Sequence, residues 1–231
     1  MFSLANSVLL RTMPVHDPSA LFEMKWRSGP VSPYDSAEGS GSETSEGLSS
    51  TSFSYDAYRS FQSGASRLVD VLGFADLGRI NLLIDNHAEL GTAHGVSGNY
   101  FAVLVVDSAQ GRLLTPADDK PDARGAAVIS DALWHRRFGG GAVLGRTVVI
   151  NSVPFTIVGT LPAAFHGTDQ VGTNPDVYVP LSLKARVMPN DDPPFDPNFW
   201  WVLTMARLRP GVSAEQARSA LDVLLKRTVT A

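Results

Sequence analysis

AVISDALWHRRFGG at Ala127–Gly140, followed two residues later by VLGRTVVINSVPFTIVGT at Val143–Thr160, settles the class of fold for this chain. Ala126 to Ile129 is a short apolar run of the kind buried strands use. Ser130 then stands where a hydroxyl can accept from the free N–H groups of a helix running from Asp131 toward Phe138. Asp131 in its first turn and Arg136 and Arg137 in its last suit the helix dipole, and Trp134 and Phe138, four apart, give it one apolar stripe. Gly139 to Gly141 stop it. Thr147 to Ile150 and Val153 to Gly159 alternate across Asn151-Ser152 as a hairpin, with Val153, Phe155 and Ile157 on one face. Ser152 is a poorer residue than glycine for a turn that needs positive φ. Strand, helix and hairpin within 35 residues or so predict an α+β fold.

Toward the C-terminus, DVYVPL at Asp176–Leu181 reads as a strand ended by Pro180. Four prolines between Pro189 and Pro197 mark a surface connection and a subdomain junction. A strand from Trp201 to Leu208 and a Pro210-Gly211 turn then lead into a helix. Ser213 and Gln216 form its capping box, Ala217, Leu221, Leu224 and Thr228 its stripe, and Lys226 and Arg227 its basic end.

Toward the N-terminus, Tyr100 to Val106 is strand or buried helix, since period alone does not separate the two. Tyr55, Tyr58 and Phe61 share one face of a short helix and are expected in a core. Ser28 to Ser50 is rich in Ser and Gly and carries Asp35, Glu38, Glu43 and Glu46 without Lys or Arg. Having almost no apolar anchors, it is expected to be a disordered acidic loop or linker. The first ten residues, MFSLANSVLL, would span about 15 Å as a helix, half of a bilayer core. They are either the first helix of a soluble core or the outer end of a membrane helix.

Composition narrows the function. A formal charge of −4 supplies no basic field for nucleic acid, and the absence of cysteine removes disulfides, thiolate nucleophiles and Cys-based zinc sites. GGAVLGRT at Gly140–Thr147 has phosphate-loop spacing but Arg146 in place of lysine, and it follows a helix and opens a strand, the reverse of what phosphate binding needs. His87-Ala88-Glu89 lacks the cysteine pair of a zinc deaminase. His16, His87, His94, His135 and His166 have no metal-ligand spacing and read as surface or loop residues. Ser97 lies in GVSG, one residue short of a nucleophile elbow. Asp118-Asp119 and Asp191-Asp192 read as solvated loop charges. No catalytic, cofactor-binding or metal residue is assigned, and the chain is not expected to be an enzyme.

SGNYFAVL (Ser97–Leu104), GRLLTPADD (Gly111–Asp119), AVISDALWHRRFGG, VLGRTVVINSVPFTIVGTLPAAFHG (Val143–Gly167), DVYVPL and ARLRPGVSAEQA (Ala206–Ala217) occur in that order. Together they resemble the MacB-like periplasmic core domain of ABC-type permeases, most of all the acidobacterial duplicated orphan permeases. The resemblance implies a porter-like α/β sandwich unit with an inserted, smaller, strand-rich Sabre-like subdomain. Residues 1–13 would be the remnant of a transmembrane helix, 14–106 and 196–231 the two segments of the porter-like subdomain, and 107–195 the insert, with 28–50 as the acidic loop. It also implies truncation at both ends, with a missing strand leaving an unpaired sheet edge. Three departures stand out: Val105-Val106 and Asp107 replace the family's usual Gly-Val-Arg-Pro-like segment, Asn151-Ser152 its Asn-Gly turn, and the acidic insert is long.

By the same resemblance, the chain would be the periplasmic part of an inner-membrane permease that couples ATP hydrolysis on a separate cytoplasmic ABC ATPase to efflux or mechanical work. Its implied partners are the membrane through flanking helices, that ATPase, a periplasmic adaptor protein and a second copy of the permease. The alternative is a free-standing extracytoplasmic binding or interaction module with no transport role.

Overall fold

The computed structural model describes residues 2–5, 17–29, 32–39, 41–44, 47–168 and 174–229. Strands β1 (Phe2–Ala5), β2 (Leu21–Arg27), β3 (Ser36–Ala37), β4 (Gly41–Thr44), β5 (Gly47–Ser50) and β6 (Ser52–Ser54) precede helix α1 (Tyr55–Gly64). Next come β7 (Val69–Ile84), β8 (His87–Val96), the short helix α2 (Tyr100–Leu104), β9 (Gln110–Gly111), β10 (Ala126–Ile129) and α3 (Asp131–Phe138). The chain continues through β11 (Thr147–Ile150), β12 (Val153–Thr160), β13 (Val177–Pro180) and a 3-10 turn at Leu181–Leu183. It ends with α4 (Lys184–Val187), β14 (Phe199–Leu208) and α5 (Ala214–Val229). This mixture is α+β, as the local patterns predict.

Two compact units result. The first takes residues 1–12, 17–73 and 192–231, the second 13–16 and 74–191. One division between the units falls at Phe74, inside β7. The reason is pairing: β8 pairs with β7 from Phe74 to Ile84 and, at Ala93–Val96, with β13, which places that part of the hairpin with the second unit.

In the first unit β14 is the organising strand. It pairs antiparallel with β2 (Met205↔Glu23, Arg207↔Leu21) and β6, and parallel with β3. Phe53, Tyr58, Phe61, Trp200 and Trp201 are buried, and Phe53 meets the Phe61 ring edge-on at 5.3 Å. Such offset aromatic contacts add to plain area burial. Ser54 caps α1 by accepting from Ala57 N–H, and Tyr58 and Phe61 enter the core while Tyr55 stays half-buried against Trp201. Helix α5 packs on α1 where Gly64 leaves room: a Cβ there would lie 2.8 Å from Leu224 Cδ2. The capping box of α5 is complete, Gln216 N–H donating to Ser213 Oγ and Ser213 N–H to Gln216 Oε1. Its core stripe is Ala217, Leu221 and Leu225, with Leu224 only half-buried.

Two sequence expectations are corrected in this unit. Phe2–Ala5 is a strand paired antiparallel with β2, and not a helical turn; Asn6 to His16 lie outside the described residues. Within Ser28–Ser50 the described residues are not disordered. β4 and β5 form a hairpin, β5 extends β2 through Trp26↔Ser50, and Ser42 and Ser49 hydroxyls meet at 2.8 Å. Strands with few apolar side chains hold here because the neighbouring strand supplies backbone partners and Tyr34 sets its ring edge against Trp26.

The second unit is a closed ring of strands. β7 pairs with β8, β8 with β13, β13 with β10, β10 with β12, β12 with β11, and β11 returns to β7 through Val149↔Leu83 and Ile150↔Leu82. The registers align one set of alternate residues inward: Ile80, Leu82 and Ile84; Ala93; Val177 and Val179; Ala127 and Ile129; Phe155 and Ile157; Val148 and Ile150. All are buried, so the ring is filled by side chains, as small barrels are. Leu77 of β7, Leu133 of α3, Val143, Leu183 and Val187 complete the same cluster. Closure also removes the open edges that an unrolled sheet would carry.

Two turns make closure possible. At Asn151-Ser152 both residues have positive φ, 45° and 71°, the geometry that matches strand twist in a two-residue hairpin. Asn151 is more than a glycine substitute: its Oδ1 accepts from Asn81 N–H at 2.9 Å and its Nδ2 donates to Val187 O at 3.1 Å. Asp85-Asn86, φ 49° and 62°, does the same for β7 and β8.

Candidate functional site

The outward side of the ring is covered where β8 and β13 lie side by side. Tyr178, between the inward Val177 and Val179, faces outward into a cluster with Phe101 (5.6 Å) and Phe165 (6.1 Å). Tyr100 joins it edge-on to Phe101 at 5.1 Å, and its hydroxyl meets Thr168 Oγ1 at 3.0 Å. Tyr100–Leu104 is therefore a buried helix; the open choice between strand and helix is decided by tertiary contact. His94, beside Tyr178 in register, belongs to the same side. It is 3 % exposed, which corrects its reading as a surface residue. Its ring meets Tyr178 edge-on, and Nε2 lies 3.6 Å from Asp76 Oδ1.

At the end of this pair of strands two acidic residues are drawn into the protein. Asp118 receives two hydrogen bonds from the Arg112 guanidinium, at 2.7 and 2.8 Å, and two from Thr115, through its N–H at 2.8 Å and its hydroxyl at 2.7 Å. Burial alone pushes this carboxyl up, but the bonds from Arg112 and Thr115 together outweigh it and hold Asp118 below the usual carboxylate range. The same contact raises the Arg112 guanidinium. Asp119 faces the other way. Oδ2 accepts from Gly98 N–H at 3.0 Å and Oδ1 from Ser182 N–H at 2.9 Å. Asp118 and Asp119 are 9 % and 7 % exposed, so the expectation of solvated loop charges is corrected. Adjacent acids at a turn enter the interior only if each finds donors, and here Arg112, the Thr115 hydroxyl and three backbone amides supply them.

The remaining singled-out residues stay apart. Ser97 is buried and donates to Asn99 Oδ1. His87 Nδ1 lies 2.9 Å from Asp85 O, His135 Nδ1 3.0 Å from Asp131 O, and His166 Nδ1 2.9 Å from Asn174 Nδ2. His16 lies outside the described residues. Gly140–Thr147 joins α3 to β11, as its sequence context indicates, and Arg146 pairs with Asp85 and lies over the Phe138 ring at 5.0 Å. Asp191 accepts from Lys184 Nζ at 3.1 Å, and Asp192 from the Ser36 hydroxyl at 3.0 Å. Lys184 is 1 % exposed, a buried cation that sequence spacing does not reveal. Among the described residues no three His, Asp or Glu side chains gather to hold a metal.

The geometry is thus that of a filled ring with an aromatic cover and a carboxylate fastening, suited to holding shape and presenting surface. Among the described residues the most exposed large apolar side chain is Leu90, 67 % exposed and diagonal to Leu83 across the β7–β8 hairpin. No helix among the described residues is long and apolar enough to cross a membrane.

The solved periplasmic region of MacB from Actinobacillus actinomycetemcomitans is similar in fold, with TM-score 0.59 and 18% identity over 77% of this chain and 75% of that one. The extracellular domain of the noncanonic ABC-type transporter YknZ from Gram-positive bacteria gives TM-score 0.53 and 19% identity, covering 77% of this chain and 84% of that one. No curated protein matches the chain. The sequence pattern of the MacB-like periplasmic core domain, the periplasmic domain of ABC-type transporter permeases, matches residues 2–224, and the chain belongs to that family.

Proposed function

We propose that this chain is the periplasmic part of an inner-membrane ABC-type permease and acts as a non-enzymatic mechanical element, coupling ATP hydrolysis on a cytoplasmic ATPase to efflux or other work outside the membrane. The observation that carries this reading is the family pattern running through almost the whole chain. The filled interior of the second unit supports it, because a packed ring resists deformation. Under this reading the unit of residues 74–191 is the Sabre-like subdomain and the other unit the porter-like one. The partners are an ABC ATPase, a second permease copy and a periplasmic adaptor.

These 231 residues carry no cysteine, so a thiol introduced among them can be read against the unsubstituted full-length product as background. Glu215→Cys on the exposed side of α5, placed in the full-length gene product in its native cells, should react with a membrane-impermeant maleimide before lysis and fractionate with the inner membrane. Labelling only after lysis removes the periplasmic assignment. Labelling of a product that fractionates as soluble supports the free-standing extracytoplasmic module instead.

A further inference from the structure

We propose that Asp119 is the built-in ligand of a carboxylate cradle which fastens two turns together, so that the segments leading into α2 and α4 open as one. The inference stands on the geometry of the second unit and is independent of the transport role. β8 and β13 are parallel neighbours, and each ends in a turn: Ser97–Asn99 after β8, Leu181–Leu183 after β13. Neither Gly98 N–H nor Ser182 N–H is bonded within its own turn; each donates to a different oxygen of Asp119. One carboxylate therefore satisfies one donor in each turn, and bonds to an ionised acceptor are the stronger kind.

A second observation points to the same fastening. A Cβ on Gly98 would lie 2.5 Å from Thr115 O and 2.6 Å from Pro116 Cα. Backbone meets backbone here, so the loop carrying Asp119 is seated directly against the first turn. The loop arrives already shaped, because Asp118 ties it to Arg112 and to Thr115 N–H. A preorganised carboxylate aimed at two buried donors loses both contacts when the loop lifts. Opening at either turn is then linked to the other through that single side chain.

The test uses Asp119→Gly and Asp119→Asn in the 231-residue chain, with sodium formate as the probe and amide hydrogen exchange as the readout. In Asp119→Gly, exchange at Gly98 and Ser182 should accelerate together by about tenfold or more, as the loss of charge-assisted bonds implies. Formate should slow both again in a saturable way, while sodium chloride at equal ionic strength should not. If Asp119→Gly does not fold unaided, recovery of the fold on refolding in formate but not in chloride is the same result. Asp119→Asn retains one acceptor oxygen, so one amide should keep its protection while the other loses it. Equal effects of formate and chloride would overturn the proposal. So would an Asp119→Asn protein indistinguishable from the parent, or faster exchange at only one amide in Asp119→Gly.

Discussion

Val105 ends α2 in the left-handed region, φ 57° and ψ 52°, where a branched Cβ is at its most crowded. The position is forced by the cap: Val105 N–H donates to Ala102 O at 3.2 Å and Val106 N–H to Phe101 O at 3.0 Å, closing the helix end. An L-residue held there costs about 1–2 kcal/mol, which glycine does not incur. Val105 is also 52 % exposed, so truncation removes a modest and nearly equal apolar contact whether the replacement is alanine or glycine. Comparing Val105→Ala with Val105→Gly isolates the backbone. In ordinary helix or strand positions alanine is better by about 0.5–1 kcal/mol. Here the order should reverse, with the glycine variant more stable than the alanine variant by about 1 kcal/mol. Urea denaturation at matched m reads the difference, which corresponds to about 2–4 °C in Tm for a chain of this size. An alanine variant equal to or more stable than the glycine variant would refute the reasoning, since the strain it rests on would then be absent.

Gly98→Ala should destabilise the protein by about 2 kcal/mol or more, because its methyl group meets backbone atoms that no rotamer change can move; thermal melting checks it. Ile157→Ala empties part of the ring interior and should cost about 2–5 kcal/mol in urea denaturation. Asp118 has a folded value depressed below its unfolded one, so its contribution is present above the unfolded value of about 3.9 and lost as pH falls through the folded value. Asp118→Asn should therefore be less stable than the parent at pH 7, and the gap should narrow as a titration is carried below about pH 4. Glu23 behaves oppositely: burial pushes its carboxyl up, with Lys25 pulling part of the way back. Its favourable contribution is present below the unfolded value and lost as pH rises through the folded one. Glu23→Gln should gain stability relative to the parent between pH 4 and pH 7, and a gap that shrinks over that range would contradict it.

What could be read from the sequence was whatever a few neighbouring residues decide. Ser130 before Asp131, Ser213 with Gln216, Gly139 after Phe138 and Asn151-Ser152 between alternating strands each act through hydrogen bonds and torsions spanning about four residues. Each appears in the structure in that role. The family blocks carried the rest of what was legible about function. The β7–β8 hairpin was missed although Ile80, Leu82 and Ile84 alternate ahead of Asp85-Asn86, a signal that was open to reading. Closure of the ring, burial of His94, Lys184, Asp118 and Asp119, and the strands Gly41–Thr44 and Gly47–Ser50 within the polar segment had no local signal. Each depends on partners far away in the chain: Asp119 on Gly98 and Ser182, β5 on β2, β11 on β7. A polar group is buried or exposed according to whether donors are waiting for it, and only the folded chain brings those donors within reach.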